Sequence, residues 1–213
     1  KKLKRFEEIK TFSNVFQFPE NMRGNWHKVF NNSNPIVLEL ACGKGEYTIA
    51  LAERHPDKNF IGVDLKGNRL WKGALYALKN KLTNVAFLRT QIEIIANYFS
   101  LSEVDEIWIT FPDPQLRLSR AKKRLTHPRF MAEYEKILKP GGLIHLKTDS
   151  TNLYNFTKEV VQWCGLIPVS DIADIHSQED IHDSLRIKTY YESLDIAGSN
   201  KVYYLCWKLP PDW

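Results

Sequence analysis

With 213 residues, 43% of them hydrophobic and 26% charged, the chain is long enough for one domain with a sizeable core and has the composition of an ordinary globular protein. No apolar run approaches the roughly 18 residues that cross a bilayer and no signal-peptide pattern opens the sequence, so no membrane partner is expected. The net charge of +5 permits a polyanionic partner, while three cysteines without a pairing pattern (Cys42, Cys164 and Cys206) argue against a disulfide framework or a zinc site and suit a reducing cytoplasm.

The predicted elements run in chain order as follows. About residues 1–17 read as a basic arm, with Lys1, Lys2, Lys4 and Arg5, attached to a single domain that takes in the whole of 1–213. A first strand, Pro35–Leu40, runs into a loop with Gly43 and Gly45 and then a helix at Glu46–Glu53. Strand Asn59–Leu65, helix Asn68–Lys81 and strand Val85–Arg89 follow. Next come strand Val104–Phe111, helix Pro128–Leu138 and strand Leu143–Thr148, with Pro140-Gly141-Gly142 separating the last two. Helix Asn152–Cys164 and strands Leu166–Ser170 and Lys201–Leu209 complete the series, and the polar stretch 171–200 is left unassigned. Dense apolar strands alternating with helical periods predict an α/β fold with a doubly wound, mostly parallel sheet.

The first loop has the form of a ligand-binding turn. Glu39 ends its strand, the glycines permit a sharp turn and a close backbone approach, and Asp64 ends the next strand, where a carboxylate can accept both hydroxyl protons of a ribose. A dinucleotide site wants a third glycine where Thr48 stands, and GKGE fails the phosphate-loop pattern. S-adenosylmethionine needs neither, and Glu39 could face its ammonium group. The strand ends in order are Glu39, Asp64, Gln91, Asp113 and Asp149, all polar, with Gln91 positioned to cap an adenine edge. Ligands of open α/β sheets bind beyond such ends. Directly after Asp113 lie Arg117, Arg120, Lys122, Lys123, Arg124 and Arg129, with no acid among them, a stretch suited to phosphates.

The segment VDEIWITFPDPQLRLSRAKKRLTHPRFMAEYEKILKPGGLIHLKTDS resembles the bacterial tRNA (guanine-N7-)-methyltransferases, as do PIVLELACGKGEYTIALAERHPDKNFIGVDLKGNRL and Thr189-Tyr190-Tyr191-Glu192. The resemblance implies a Rossmann-like class I methyltransferase: a seven-stranded, mostly parallel sheet with an antiparallel last strand. It implies S-adenosylmethionine as cofactor, held by Glu39, Gly43, Gly45, Asp64, Gln91 and Asp113, and tRNA as partner of a monomer or homodimer. Asp113 would be the central residue, touching both cofactor and guanine. Arg117, Asp149, Thr189, Tyr190 and Glu192 would hold substrate, and Arg120, Lys122, Lys123 and Arg124 the RNA backbone. The family's D-P-W-P-K-K-R-H loop is DPQLRLSR here, with Gln115-Leu116 replacing Trp-Pro.

The chemistry agrees with these residue types. Guanine N7 carries no proton at neutral pH, so no general base is required; the enzyme has to align the two reacting atoms and stabilise a cation developing on the purine. Carboxylates accept from the N1–H and N2 amino groups that tell guanine from adenine. Each residue also has a plainer reading: Thr189-x-x-Glu192 as a helix capping box, Asp113 as a turn former between prolines, Asp149 as a helix cap. Two other functions remain on the sequence, methylation of an exocyclic amine (FPDP resembles the D/N-P-P-Y/F loop) and a non-catalytic RNA-binding module.

Overall fold

A computed structural model describes all of residues 1–213. Its strands are β1 (Val15–Gln17), β2 (Ile36–Leu40), β3 (Asn59–Asp64), β4 (Val85–Arg89), β5 (Val104–Thr110), β6 (Leu138–Thr148), β7 (Ile167–Ile172) and β8 (Tyr203–Lys208). The helices are α1 (Lys2–Glu8), α2 (Trp26–Phe30), α3 (Glu46–Arg54), α4 (Gly67–Lys79), α5 (Pro128–Glu135), α6 (Thr151–Trp163) and α7 (Tyr190–Ser193). The strands form one sheet in the order β1-β4-β3-β2-β5-β6-β8-β7. Only β8 runs against its neighbours, β6 and β7. The order reverses between β2 and β5, and the carboxyl ends of those two strands are where such sheets open a crevice.

Alternation along the strands divides the core between the two faces of the sheet. Ile36, Leu38 and Leu40 of β2, Ile107 and Ile109 of β5, and Ile144 and Leu146 of β6 join α2, α5 and α6 in one apolar cluster. Val37, Phe60, Phe87 and Trp108 join α3 and α4 in the other. On that second face the apolar positions give way near the strand ends to a buried polar row: Glu39 on β2, Thr110 on β5 and Lys147 on β6, the last two paired across the ladder. This row, with His145 stacked on Trp108 one pair further back, marks where the fold departs from a simple core.

The structure differs from the expected elements at several points. The sheet has eight strands, because Val15–Gln17 adds a short parallel strand to the outer edge of β4. Three half-buried residues at an edge give no period to read. Residues 1–17 form α1, a 3-10 turn at Ile9–Thr11 and β1, and they fold onto α4. Ile9 is buried, Trp71 Nε1 donates to Glu8 Oε2 at 2.5 Å, and a Cβ on Gly67 would lie 2.7 Å from Ile9 Cδ1. The helix expected to reach Leu138 ends at Glu135, since Leu138 already pairs with Val104 in the sheet. Pro140-Gly141-Gly142 then forms a bulge inside β6, with Gly141 at φ +76°, before regular pairing resumes at Leu143 and Glu106.

Candidate active site

The chain leaves β2 through Ala41-Cys42-Gly43-Lys44-Gly45 and enters α3. Three of these residues have left-handed backbone: Ala41 at φ +57°, Gly43 at +59° and Gly45 at +73°. The glycines serve different ends. A Cβ on Gly45 would sit 2.6 Å from Phe87 Cε1, so Gly45 is needed for packing against the sheet. A Cβ on Gly43 would meet nothing within 4 Å, so its bare backbone faces the open side of the loop. Ala41 adopts without help a conformation that suits glycine, at a cost of roughly 1 kcal/mol.

Asp64, at the end of β3, braces this loop. Its Oδ2 accepts from the Gly43 N–H at 2.9 Å and its Oδ1 from the Lys66 N–H at 2.8 Å. Glu39 lies deeper. One of its oxygens accepts from Thr110 Oγ1 at 2.7 Å and the other from Thr48 Oγ1. Burial pushes the Glu39 carboxyl up to about 7, against the pull of the two threonine hydroxyls. Thr48 occupies the place of the third glycine of a dinucleotide motif, one turn into α3, where its hydroxyl reaches back to the carboxylate.

Glu39, Gly43 and Asp64 line a cavity of about 690 Å³ beyond the carboxyl ends of β2 and β5, within the usual range of roughly 300–1,000 Å³ for ligand sites. Asp113, Asp149 and Thr189 line it too. Asp113 follows a turn in which Phe111 has φ +46°, and its Oδ1 accepts from the Gln115 N–H at 3.0 Å. The aspartate thus shapes the turn and stands exposed at the mouth of the cavity. Ser150, not Asp149, caps α6, which leaves Asp149 on the cavity wall.

The altered DPQLRLSR loop, which lacks the family's Trp-Pro, is held by Arg124. Expected on the RNA surface, Arg124 is buried, 3% exposed. Its Nε and Nη2 donate to the Gln115 carbonyl at 3.3 and 3.1 Å, and its guanidinium lies 4.4 Å over the Phe156 ring. Gln115 itself has φ +46°, so the arginine holds a strained turn from behind. That is a correction: Arg124 is in no position to meet a phosphate. Arg117, Arg120, Lys122 and Lys123 are exposed, and Arg117 and Arg120 share with Asp113 a second hollow of about 380 Å³.

The remaining expected residues divide. Thr189 caps α7, its Oγ1 accepting from the Glu192 N–H at 3.3 Å, and also borders the cavity. Thr189 thus makes the N-cap half of a capping box, while the reciprocal half is missing because the Glu192 carboxylate turns to Lys147. Tyr191 borders the cavity; Tyr190 does not, its N–H donating to Glu46 Oε2 at 2.9 Å and its ring lying 4.8 Å below Lys44 Nζ. Glu192 points inward: its side chain is 5% exposed and its Oε2 accepts from the buried Lys147 Nζ at 2.9 Å. From there it does not reach the cavity, contrary to what the resemblance implies. Gln91, exposed after β4, also lies outside the cavity lining, so the edge-capping contact expected of it is not formed there. Sequence reasoning missed Lys44, Lys66 and Arg69, three cations on the wall, because lysines and arginines at loop and helix starts look like solvated surface.

The fold agrees with solved methyltransferases of differing substrates. The 16S rRNA methyltransferase KamB matches with a TM-score of 0.66 at 14% identity, over 88% of this chain and 94% of that one. A geranyl diphosphate C-methyltransferase from Streptomyces coelicolor, crystallised with S-adenosyl-L-homocysteine, matches at 0.55 and 12%, over 83% and 73%. The fold is the Rossmann-like α/β fold that these methyltransferases share. Residues 33–205 match the family model described as "Putative methyltransferase". The tRNA (guanine-N(7)-)-methyltransferase of Bacteroides thetaiotaomicron is 45% identical over 99% of this chain and 86% of its own length. That of Christiangramia forsetii is 44% identical over 98% and 97%. The chain belongs to the tRNA (guanine-N(7)-)-methyltransferase family.

Proposed function

We propose that this protein transfers a methyl group from S-adenosylmethionine to N7 of a guanine in tRNA, in the cytoplasm. The observation that carries this reading is the meeting in one cavity of two carboxylates behind the glycine loop, Glu39 and Asp64, and two at its open side, Asp113 and Asp149. Family membership points the same way. The residues present fit the cofactor: Gly43 offers a bare backbone, and the carboxylates can accept from an ammonium group and from ribose hydroxyls. When bound, S-adenosylmethionine supplies an electrophilic methyl group on a cationic sulfur.

The protein's own part is alignment and charge. Gly43 and Asp64 fix one side of the cavity through their hydrogen bond, and the Asp113 turn fixes the other. Alignment of this kind supplies several of the roughly 7–11 kcal/mol open to proximity. Asp113, close to the purine, stabilises positive charge as it develops there, and Asp113 and Asp149 accept from the guanine N1–H and N2 amino donors. Lone-pair attack by N7 leaves no proton for the enzyme to remove. Arg117, Arg120, Lys122 and Lys123, unpaired on the adjoining surface, bind phosphates of the tRNA while the base enters the pocket.

The test is nucleoside mass spectrometry of unmodified tRNA incubated with the protein and S-adenosylmethionine. Appearance of 7-methylguanosine is the expected result. Recovery of 6-methyladenosine in its place would overturn the choice of acceptor, and no methylated nucleoside together with no cofactor binding would leave an inert RNA-binding module.

A further inference from the structure

The 185–192 segment comprises the end of a 3-10 turn, an extended link and the four-residue α7, and no residue of α7 is buried. Leu185 and Ile187 anchor its start in the core, Thr189 caps α7, and His176 Nε2 lies 3.5 Å from Glu192 Oε1. One side chain from the sheet ties both ends of the segment together. Lys147 on β6 has a fully buried side chain. Its Nζ donates to the Leu185 carbonyl at 3.0 Å, the Ile187 carbonyl at 2.6 Å and Glu192 Oε2 at 2.9 Å. An ammonium group has three protons, and all three are used. Its Nζ lies 5.3 Å from the centre of the Tyr47 ring and 5.7 Å from that of Phe111.

Phe111 opens the turn that carries Asp113, and its N–H donates to the Lys147 carbonyl at 2.8 Å. Lys147 therefore joins two segments that border the cavity: the Asp113 turn through its backbone carbonyl, the 185–192 wall through its ammonium. Burying an ammonium group costs several kcal/mol, and a similar apolar side chain could fill the space. What the cation adds is a directed hold on two carbonyls and a carboxylate from a segment about 40 residues distant in sequence.

We infer that Lys147 is a positioning residue, fixing the 185–192 wall against the Asp113 turn so that Thr189 and Tyr191 close the substrate side of the cavity. It acts through Glu192: the carboxylate that the family resemblance sends to the base serves here as the anchor of the wall. The inference rests on the proposed function only in its kinetic part.

The test is Lys147→Met, which keeps length and packing but has no donors. Amide hydrogen exchange should quicken at least tenfold at residues 186–193 and stay unchanged in β2 to β5. S-adenosylhomocysteine, probing the Glu39–Asp64 side, should bind within threefold of wild type, while kcat for tRNA methylation falls at least tenfold. A general loss of structure would weaken both sides together, so the split between cofactor affinity and kcat identifies positioning. Unchanged exchange at 186–193, or wild-type kcat and KM, overturns the inference. Should Lys147→Met fail to fold, Glu192→Gln tests the same hold, with faster exchange expected at 189–193 and unchanged exchange overturning it. If the wild-type protein makes no 7-methylguanosine, the exchange result still decides on the tether, and the proposed function alone falls.

Discussion

Single residues carry three consequences. The Glu39 carboxyl, raised by burial from the ordinary 4.5 to about 7, prefers its proton in the folded protein. Its contribution to stability is complete below about pH 4.5 and is lost as pH rises through about 7, a change on the order of 3 kcal/mol. An ammonium group placed beside it favours the carboxylate instead. S-adenosylhomocysteine should therefore bind more weakly as pH falls below 7, by up to about tenfold per unit, with a proton released on binding. Calorimetry from pH 5.5 to 8 reads this directly, and Glu39→Gln should flatten the slope; a flat profile in the wild type would detach Glu39 from the cofactor. Ala41, at φ +57°, should gain roughly 1 kcal/mol of stability as Ala41→Gly, measured by denaturant unfolding, because glycine adopts that conformation without strain. Asp113→Ala should lower turnover by two or more orders of magnitude and leave the circular dichroism spectrum intact; near-normal turnover would contradict the role proposed for it. Glu39, Gly43, Asp64 and Asp113 were legible in the sequence because a strand end followed by a tight loop constrains which side chains can face a ligand. Arg124 was not, since a run of six cations gives no sign of which one turns inward, and its partner is a carbonyl that no sequence pattern marks.

Among elements, the loop from Asp113 to Arg124 carries both the aspartate proposed for the chemistry and the cations proposed for RNA binding, and experiment can separate its two halves. Neutralising Arg117, Lys122 and Lys123 together should weaken tRNA binding and reduce the slope of log K against log salt by about 2 to 3, near 0.9 for each phosphate that is no longer neutralised. An unchanged slope would remove that surface from the interface. Arg124→Ala should act differently, freeing the Gln115 turn and lowering kcat while the salt slope stays as it was, since the buried guanidinium meets no phosphate. The regular elements of this region were readable from period and flanks: β4 falls on its expected residues, and β2, β3, α3, α4 and α6 agree to within two residues at each end. The short pieces were not. α2 and α7 have five and four residues, too few to show a helical repeat, and the 171–200 stretch is held by partners distant in sequence, such as Tyr47 Oη donating to the Ser184 carbonyl.

At the scale of the whole molecule, the sheet has two outer edges and treats them differently. β1 and α1 cover the β4 side, where Ile9 is buried and Arg5 lies 4.5 Å over the Trp71 ring. Removal of residues 1–17 should lower the melting temperature and promote aggregation by uncovering the edge of β4; unaltered melting would make this segment dispensable for stability. β7, at the opposite edge, is largely exposed and is interrupted by Pro168 and a register shift between Pro168 and Ser170, which blunt it against pairing with another chain. The position of β8 has a further consequence, for the order of assembly. β8 lies between β6 and β7 although it is made after both. During synthesis β7 cannot take its place until the later strand has entered the slot beside it, whereas every strand from β2 to β5 already has its partners. The residues of the glycine loop are therefore made well before the edge of β6 can be paired, and that edge stays open until residues 203–208 are available.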